Sequence, residues 1–108
     1  DSVRVTSTKI AAGNLTLLGK AAAKAFGLLD VPVPVGDTLA FSTGRAAVTV
    51  QRGTLTIRSR YGAADADSIA AQLTLAYGRQ VAVDTAKKIG WRVEADRNDP
   101  NHFVLVKD

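Results

Sequence analysis

His102 is the only histidine of the chain, Glu94 the only glutamate, and cysteine is absent. A transition-metal site needs several imidazole, thiolate or carboxylate ligands converging, so His102 alone reads as a structural or solvated histidine at the start of a strand. Asp65 and Asp67 would suit a hard cation, but acids at that spacing also belong at a helix start, where they meet the positive end of the dipole. Asp96, Asp99 and Asn101 resemble loosely spaced calcium ligands without the ladder and terminal Glu of an EF-hand. No serine elbow, phosphate loop or dinucleotide fingerprint occurs, and Gly13, Gly19 and Gly27 stand too far apart to cradle a phosphate. Paired-carboxylate acid–base work would have to recruit aspartates distant in sequence. No catalysis, no metal and no cofactor are expected.

The chemistry that remains is basic. Fourteen Lys and Arg against ten Asp and Glu give a net charge of +4, a balance that suits acidic partners. If Val3, Val5, Leu55, Ile57, Trp91 and Val93 face a core, their neighbours Arg4, Thr6, Thr56, Arg58, Arg60, Arg92 and Glu94 face away. Four arginines, Arg4, Arg58, Arg60 and Arg92, would then share one face and could contact phosphates or an acidic partner. The same alternation buries Tyr61 and Trp91, so the exposed aromatics of an RNA-reading sheet are missing and only backbone-level nucleic-acid binding is supported.

Positioning these residues requires a sequence of short elements. Ser2 to Thr6 alternates as a half-buried strand, and Ser7 to Gly13 connects it to a helix that Asn14 caps. Leu15, Leu18, Ala22, Ala25 and Leu29 form the apolar stripe of that helix, beside Phe26, and Gly27 stops it. Asp30 to Asp37, with Pro32 and Pro34, predicts an extended loop or frayed edge. Ala46 to Val50 and Thr54 to Tyr61 flank Gln51-Arg52-Gly53, a hairpin with glycine at positive φ. A second helix is predicted from about Asp67 to Lys88, closed by Gly90, with Ile69, Leu73, Ala76 and Tyr77, then Val83, Ala86 and Ile89, on its apolar face. Trp91 to Glu94 and Phe103 to Lys107 are strands around the turn formers Asp96 to Asn101. The order predicts an α+β fold: a split βαβ (ferredoxin-like) two-layer sandwich with an additional C-terminal strand.

The 108 residues fit one domain, residues 1–108. The hydrophobic fraction of 46% and charged fraction of 22% are those of a globular chain. No apolar run reaches the length of a membrane helix. With no cysteine and no visible signal peptide, a cytoplasmic location is expected.

Three stretches carry a family resemblance. Thr8-Lys9-Ile10 precedes a helix with Leu18, Lys20 and Ala21; Leu73 and Tyr77 are followed by Lys88, Gly90, Trp91 and Val93; and the last strand is Phe103-Val104-Leu105-Val106-Lys107. In these the chain resembles the uncharacterised cyanobacterial and plastid proteins called hypothetical chloroplast reading frame thirty-five, with their bacterial relatives. The family's longer middle section is shortened here. The resemblance implies an α/β accessory protein without an assigned catalytic residue. Bacterial relatives that look like companions of AAA-type ATPases add the implication of a protein partner.

The expected function is therefore a non-enzymatic interaction or accessory module that binds a protein partner or self-associates as a homo-oligomer, with free sheet edges beside the Pro-rich segment able to accept a strand. The alternative is low-specificity nucleic-acid binding through the arginine face. A third reading, a virus or phage accessory protein, follows only from small size and absent chemistry. Neither a membrane nor a small-molecule ligand is expected.

Overall fold

A computed structural model describes residues 4–99 and 102–107. The elements are β1 (Arg4–Lys9), α1 (Leu15–Phe26), β2 (Thr38–Ser42), β3 (Ala46–Gln51), β4 (Thr54–Ser59), α2 (Ala63–Lys88), β5 (Trp91–Ala95) and β6 (Phe103–Lys107). The α+β class expected from sequence is observed. Strands β1-β4-β3-β2 form a four-stranded sheet and β5-β6 a separate two-stranded one. Every pair is antiparallel. Antiparallel neighbours suit a split βαβ plan, but the strand that plan sets beside β1, Trp91 onward, is not in the main sheet: the C-terminal strands pair with each other, and β2 joins at the opposite edge. Ser2 and Val3 of the expected first strand lie outside the described residues.

Local chemistry sets α1. The Asn14 side chain accepts from the Leu17 N–H at 3.1 Å, and Gly27 closes the helix in the left-handed conformation at φ 61°. The Asn14 backbone N–H also donates to the Tyr77 hydroxyl at 3.1 Å, which ties the start of α1 to α2.

Between β3 and β4 the turn is tighter than the three residues expected. Gln51 and Thr54 pair directly, leaving Arg52 at φ 49° and Gly53 at φ 77° as its two central residues. Two positive φ angles match the twist of the flanking strands, which is why this turn type dominates short hairpins.

The core lies between the helices and one face of the four-stranded sheet. Leu39, Val48, Val50, Leu55 and Ile57 from the strands meet Leu18, Ala22, Ala66, Ile69 and Leu73 from the helices. Phe26 and Phe41 close one side, their rings 5.9 Å apart.

Helix α2 starts at Ala63, four residues before the expected Asp67. Its 26 residues span about 39 Å, whereas a six-residue strand covers about 20 Å. The C-terminal part of α2 therefore outruns the sheet, and the β5–β6 hairpin packs against it. The molecule is elongated, 52 × 34 × 26 Å.

One glycine of α2 has no structural reason to be glycine: a Cβ at Gly78 would meet nothing within 4 Å. Gly78→Ala should raise stability by about 0.5–1 kcal/mol, the helix-propensity difference. A urea titration that shows no gain would mean the position is crowded.

Candidate functional site

The face of the main sheet turned away from the helices is polar. Antiparallel partners share a face, so the registers give its rows directly: Ser42, Ala47, Arg58 and Val5; Ala40, Thr49, Thr56 and Ser7; Thr38, Gln51, Thr54 and Lys9. Hydroxyls dominate, and Ser7 Oγ and Thr56 Oγ1 lie 3.4 Å apart. Arg58 and Lys9 are the cations of this face.

The four predicted arginines do not share it. Arg4 pairs with Ser59, which is buried, and Val5 pairs with Arg58. The phase expected for the first strand is therefore reversed: Arg4 points to the helix side and Val5, 55% exposed, to the open side. β1 is an edge strand with no buried residue, so its own alternation carried no information about which way it faces. Arg60 is exposed just beyond the end of β4. Arg92 belongs to the separate hairpin, where its guanidinium donates to Glu94 Oε1 at 2.7 Å. Tyr61 and Trp91 are not buried as expected, being 59% and 36% exposed.

A tighter polar cluster was not evident from sequence. Arg45 Nε donates to Asp65 Oδ1 at 2.9 Å, and the Ser59 hydroxyl donates to Asp65 Oδ2 at 3.3 Å. Ser59 Oγ in turn accepts from the Tyr61 N–H at 3.0 Å, and the Arg45 guanidinium sits 4.2 Å over the Tyr61 ring. The Thr43 hydroxyl accepts from the N–H groups of Arg45 and Ala46, both at 3.1 Å, and so fixes the turn that presents Arg45. Asp65 does lie in the first turn of α2, as a helix-start acid should. Gly62, the cap residue, supplies no side-chain bond, so Asp65 anchors this helix start by binding strand side chains. Ser59 is 1% exposed and its proton is directed at a carboxylate that already bonds a guanidinium. That arrangement ties the sheet to the helix; it does not activate a nucleophile.

The turn acids have local work. Asp96 Oδ1 accepts from the Asn98 N–H at 2.8 Å, and Asp96 Oδ2 lies 3.6 Å from His102 Nδ1. The backbone closes the same turn through His102 N–H to Asp99 at 3.1 Å and Asp96 N–H to His102 at 3.2 Å. Asn101 lies outside the described residues. Among the described residues no three His, Cys, Asp or Glu side chains converge as a metal site, and no helix is long and apolar enough to cross a membrane.

Asp37 carries a perturbed carboxyl. Its Oδ2 accepts from Arg52 Nε at 2.8 Å and its Oδ1 from the Gln51 amide at 3.4 Å. The Arg52 bond first, then that of Gln51, holds the carboxyl below its ordinary range. A depressed carboxyl stabilises the fold above the ordinary carboxylate pKa and loses that contribution as pH falls through its own, lower value. The pair is solvent-exposed, so the contribution is small.

An apolar cleft of about 440 Å³ separates α1 from α2 under Phe103, with Leu75, Ala76 and Val83 in its wall and Lys24 and Arg79 as its charges. It is open to solvent, and the amides of Gln72 and Gln80 also line it.

Comparison with known proteins finds no matching family model, no matching curated protein and no matching solved structure.

Proposed function

We propose that this chain is a non-enzymatic interaction module that acts by presenting surface to a protein partner or to a second copy of itself. The observation that supports this most is surface left uncovered. The chain exposes 7088 Å², whereas a compact monomer of 11.3 kDa exposes about 5,700 Å². The excess includes large apolar side chains on three elements: Leu29, Val31, Val33 and Val35 in the loop before β2, Ile89 at the end of α2, and Trp91, Val104 and Leu105 on the hairpin. Apolar groups in such numbers usually mark contact surfaces. The resemblance to the hypothetical chloroplast reading frame thirty-five proteins is compatible with an accessory role of this kind.

The second reading is low-specificity nucleic-acid binding, narrowed to the open sheet face. Arg58 and Lys9 stand there among hydroxyls, with Arg60 beyond the strand end; Arg4 and Arg92 are remote from that face. Changing Arg58 and Arg60 together to Gln should alter stability by less than about 0.5 kcal/mol, because both are exposed. If the face contacts duplex phosphates, the double variant should flatten the log–log salt dependence of binding by roughly two units.

Affinity capture from the source lysate, with and without nuclease, separates the readings. Proteins retained after nuclease treatment favour the first; recovery of RNA or DNA favours the second. A chain that recovers neither, and stays monomeric, would refute the interaction reading.

A further inference from the structure

Gln72, Leu75, Ala76, Arg79, Gln80 and Val83 recur at steps of three and four, so they share one face of α2. α1 has 12 residues against the 26 of α2 and covers that face only in part. The facing wall carries Ala21 and Ala25 of α1, and α2 contributes Ala76. These side chains are too short to fill the space between the helices, and Phe103 of β6 closes part of the rim. The cleft that results, about 440 Å³, falls within the roughly 300–1,000 Å³ of small-molecule sites.

The charged residues of its lining are both cations, Lys24 and Arg79. Neither has a carboxylate partner among the described residues, whereas Arg45, Arg52, Lys88 and Arg92 each have one. Asp84, next to Val83, is held by Lys88 at 3.2 Å and does not line the cleft. The Arg79 guanidinium lies 6.0 Å from the centre of the Phe103 ring, at the limit of a cation–π contact, which sets it at the rim. The Gln72 amide already donates to Ser68 Oγ at 3.0 Å. Gln80 has no hydrogen-bond partner among the described residues, so its amide is free to donate.

We propose that this cleft binds a small amphipathic carboxylate, an alkyl or aryl acid. The apolar body lies between α1 and α2, and the head is drawn to Lys24 and Arg79. The inference goes beyond the interaction-module reading and does not depend on it. Charge complementarity selects an anion, because the lining offers two unpaired cations and no acid. The flat guanidinium fork matches the two oxygens of a carboxylate. Size selects a small molecule. From Gln72 to Val83 the cleft follows α2 for about 16.5 Å, and a helix of that length and about 10 Å across fills about 1,300 Å³. That is about three times the cleft volume, so a narrower body is the one it can enclose. No single element announces such a site, because its lining is shared by α1, α2 and β6.

Amide NMR titration of the isotope-labelled chain tests the proposal, with octanoate and its uncharged analogue octan-1-ol as probes. Octanoate should bind saturably, shift amides of Ala21 to Ala25 and Gln72 to Val83, and bind at least about fivefold more tightly than octan-1-ol. Lys24→Gln with Arg79→Gln should weaken octanoate by at least about fivefold and leave octan-1-ol unchanged, which separates loss of charge from loss of fold. Arg58→Gln with Arg60→Gln removes the same charge from outside the cleft and should bind like the wild type. Ala25→Phe, at an exposed position of the wall, should block both probes and keep the wild-type circular dichroism spectrum. Absence of saturable octanoate binding overturns the proposal, as does octan-1-ol binding equally well. Equal weakening in the two arginine-containing double variants would reduce the effect to net charge and overturn it too. An acidic amphipathic peptide that binds where octanoate does not, and is lost in Ala25→Phe, would make the cleft a peptide groove and overturn the small-molecule assignment.

Discussion

Gly19→Ala should destabilise the protein by about 1–3 kcal/mol, although alanine is the better helix former by about 1 kcal/mol. Gly19 lies inside α1 and is buried. An added Cβ would stand 2.3 Å from the Pro32 carbonyl oxygen, 3.3 Å from the Pro32 carbonyl carbon and 3.6 Å from Leu39 Cδ1. The two closest atoms are backbone, and the chain around them is stiffened by Pro32 and Pro34, so relief requires the loop to lift from the helix. For a domain of this size each kcal/mol moves the melting temperature by roughly 4–8 °C, so a drop of about 4–24 °C is expected. Gly78→Ala, in the open part of α2, should shift the melting temperature upward in the same assay. If Gly19→Ala melts at or above the wild type, the loop that carries Pro32 is not seated on α1.

Features set by local chemistry were legible in the residues. Asn14 and Gly27 bound α1 because a cap is made by the residue that occupies it. Arg52-Gly53 reverses the chain because few dipeptides accept two positive φ angles, although the turn was read one residue too long. The apolar members of α2 up to Leu73 and the alternation of Leu55 with Ile57 placed the core correctly. Where pairing over distance decides the outcome, the residues alone were silent. β2 was hidden because only Leu39 and Phe41 alternate in it, directly after a segment that its prolines mark as irregular. The face of β1 is fixed by its register with β4, not by its own side chains, and so Arg4 was placed on the wrong side. Arg92 was grouped with Arg58 on the assumption of one continuous sheet. Arg45 and Asp65 are 20 residues apart, and nothing in either local sequence announces the bond between them.

Leu73→Ala should cost about 2–5 kcal/mol, a large part of the roughly 5–15 kcal/mol that keeps a domain folded. Leu73 is fully buried and belongs to the cluster that joins Leu18 of α1, Ile69 of α2 and Ile57 of β4. Removing its branched carbons empties space bounded by both helices and the sheet, where no single element can collapse inward. Leu105→Ala should cost less, about 1–2 kcal/mol, because Leu105 remains 38% exposed and has less buried area to lose. The difference follows from how the two sheets are held. β3 pairs on both sides within the main sheet, whereas β5 and β6 pair only with each other and lean on α2. A two-stranded hairpin is marginal alone, so its amides should exchange by local opening while those of β3 and β4 wait for global unfolding. Under native-state hydrogen exchange, Leu73→Ala should therefore accelerate β3 and β4, and Leu105→Ala should accelerate only β5 and β6. Hairpin amides as well protected as those of β3 would contradict this division and would mean that a contact absent from the isolated chain holds the hairpin down.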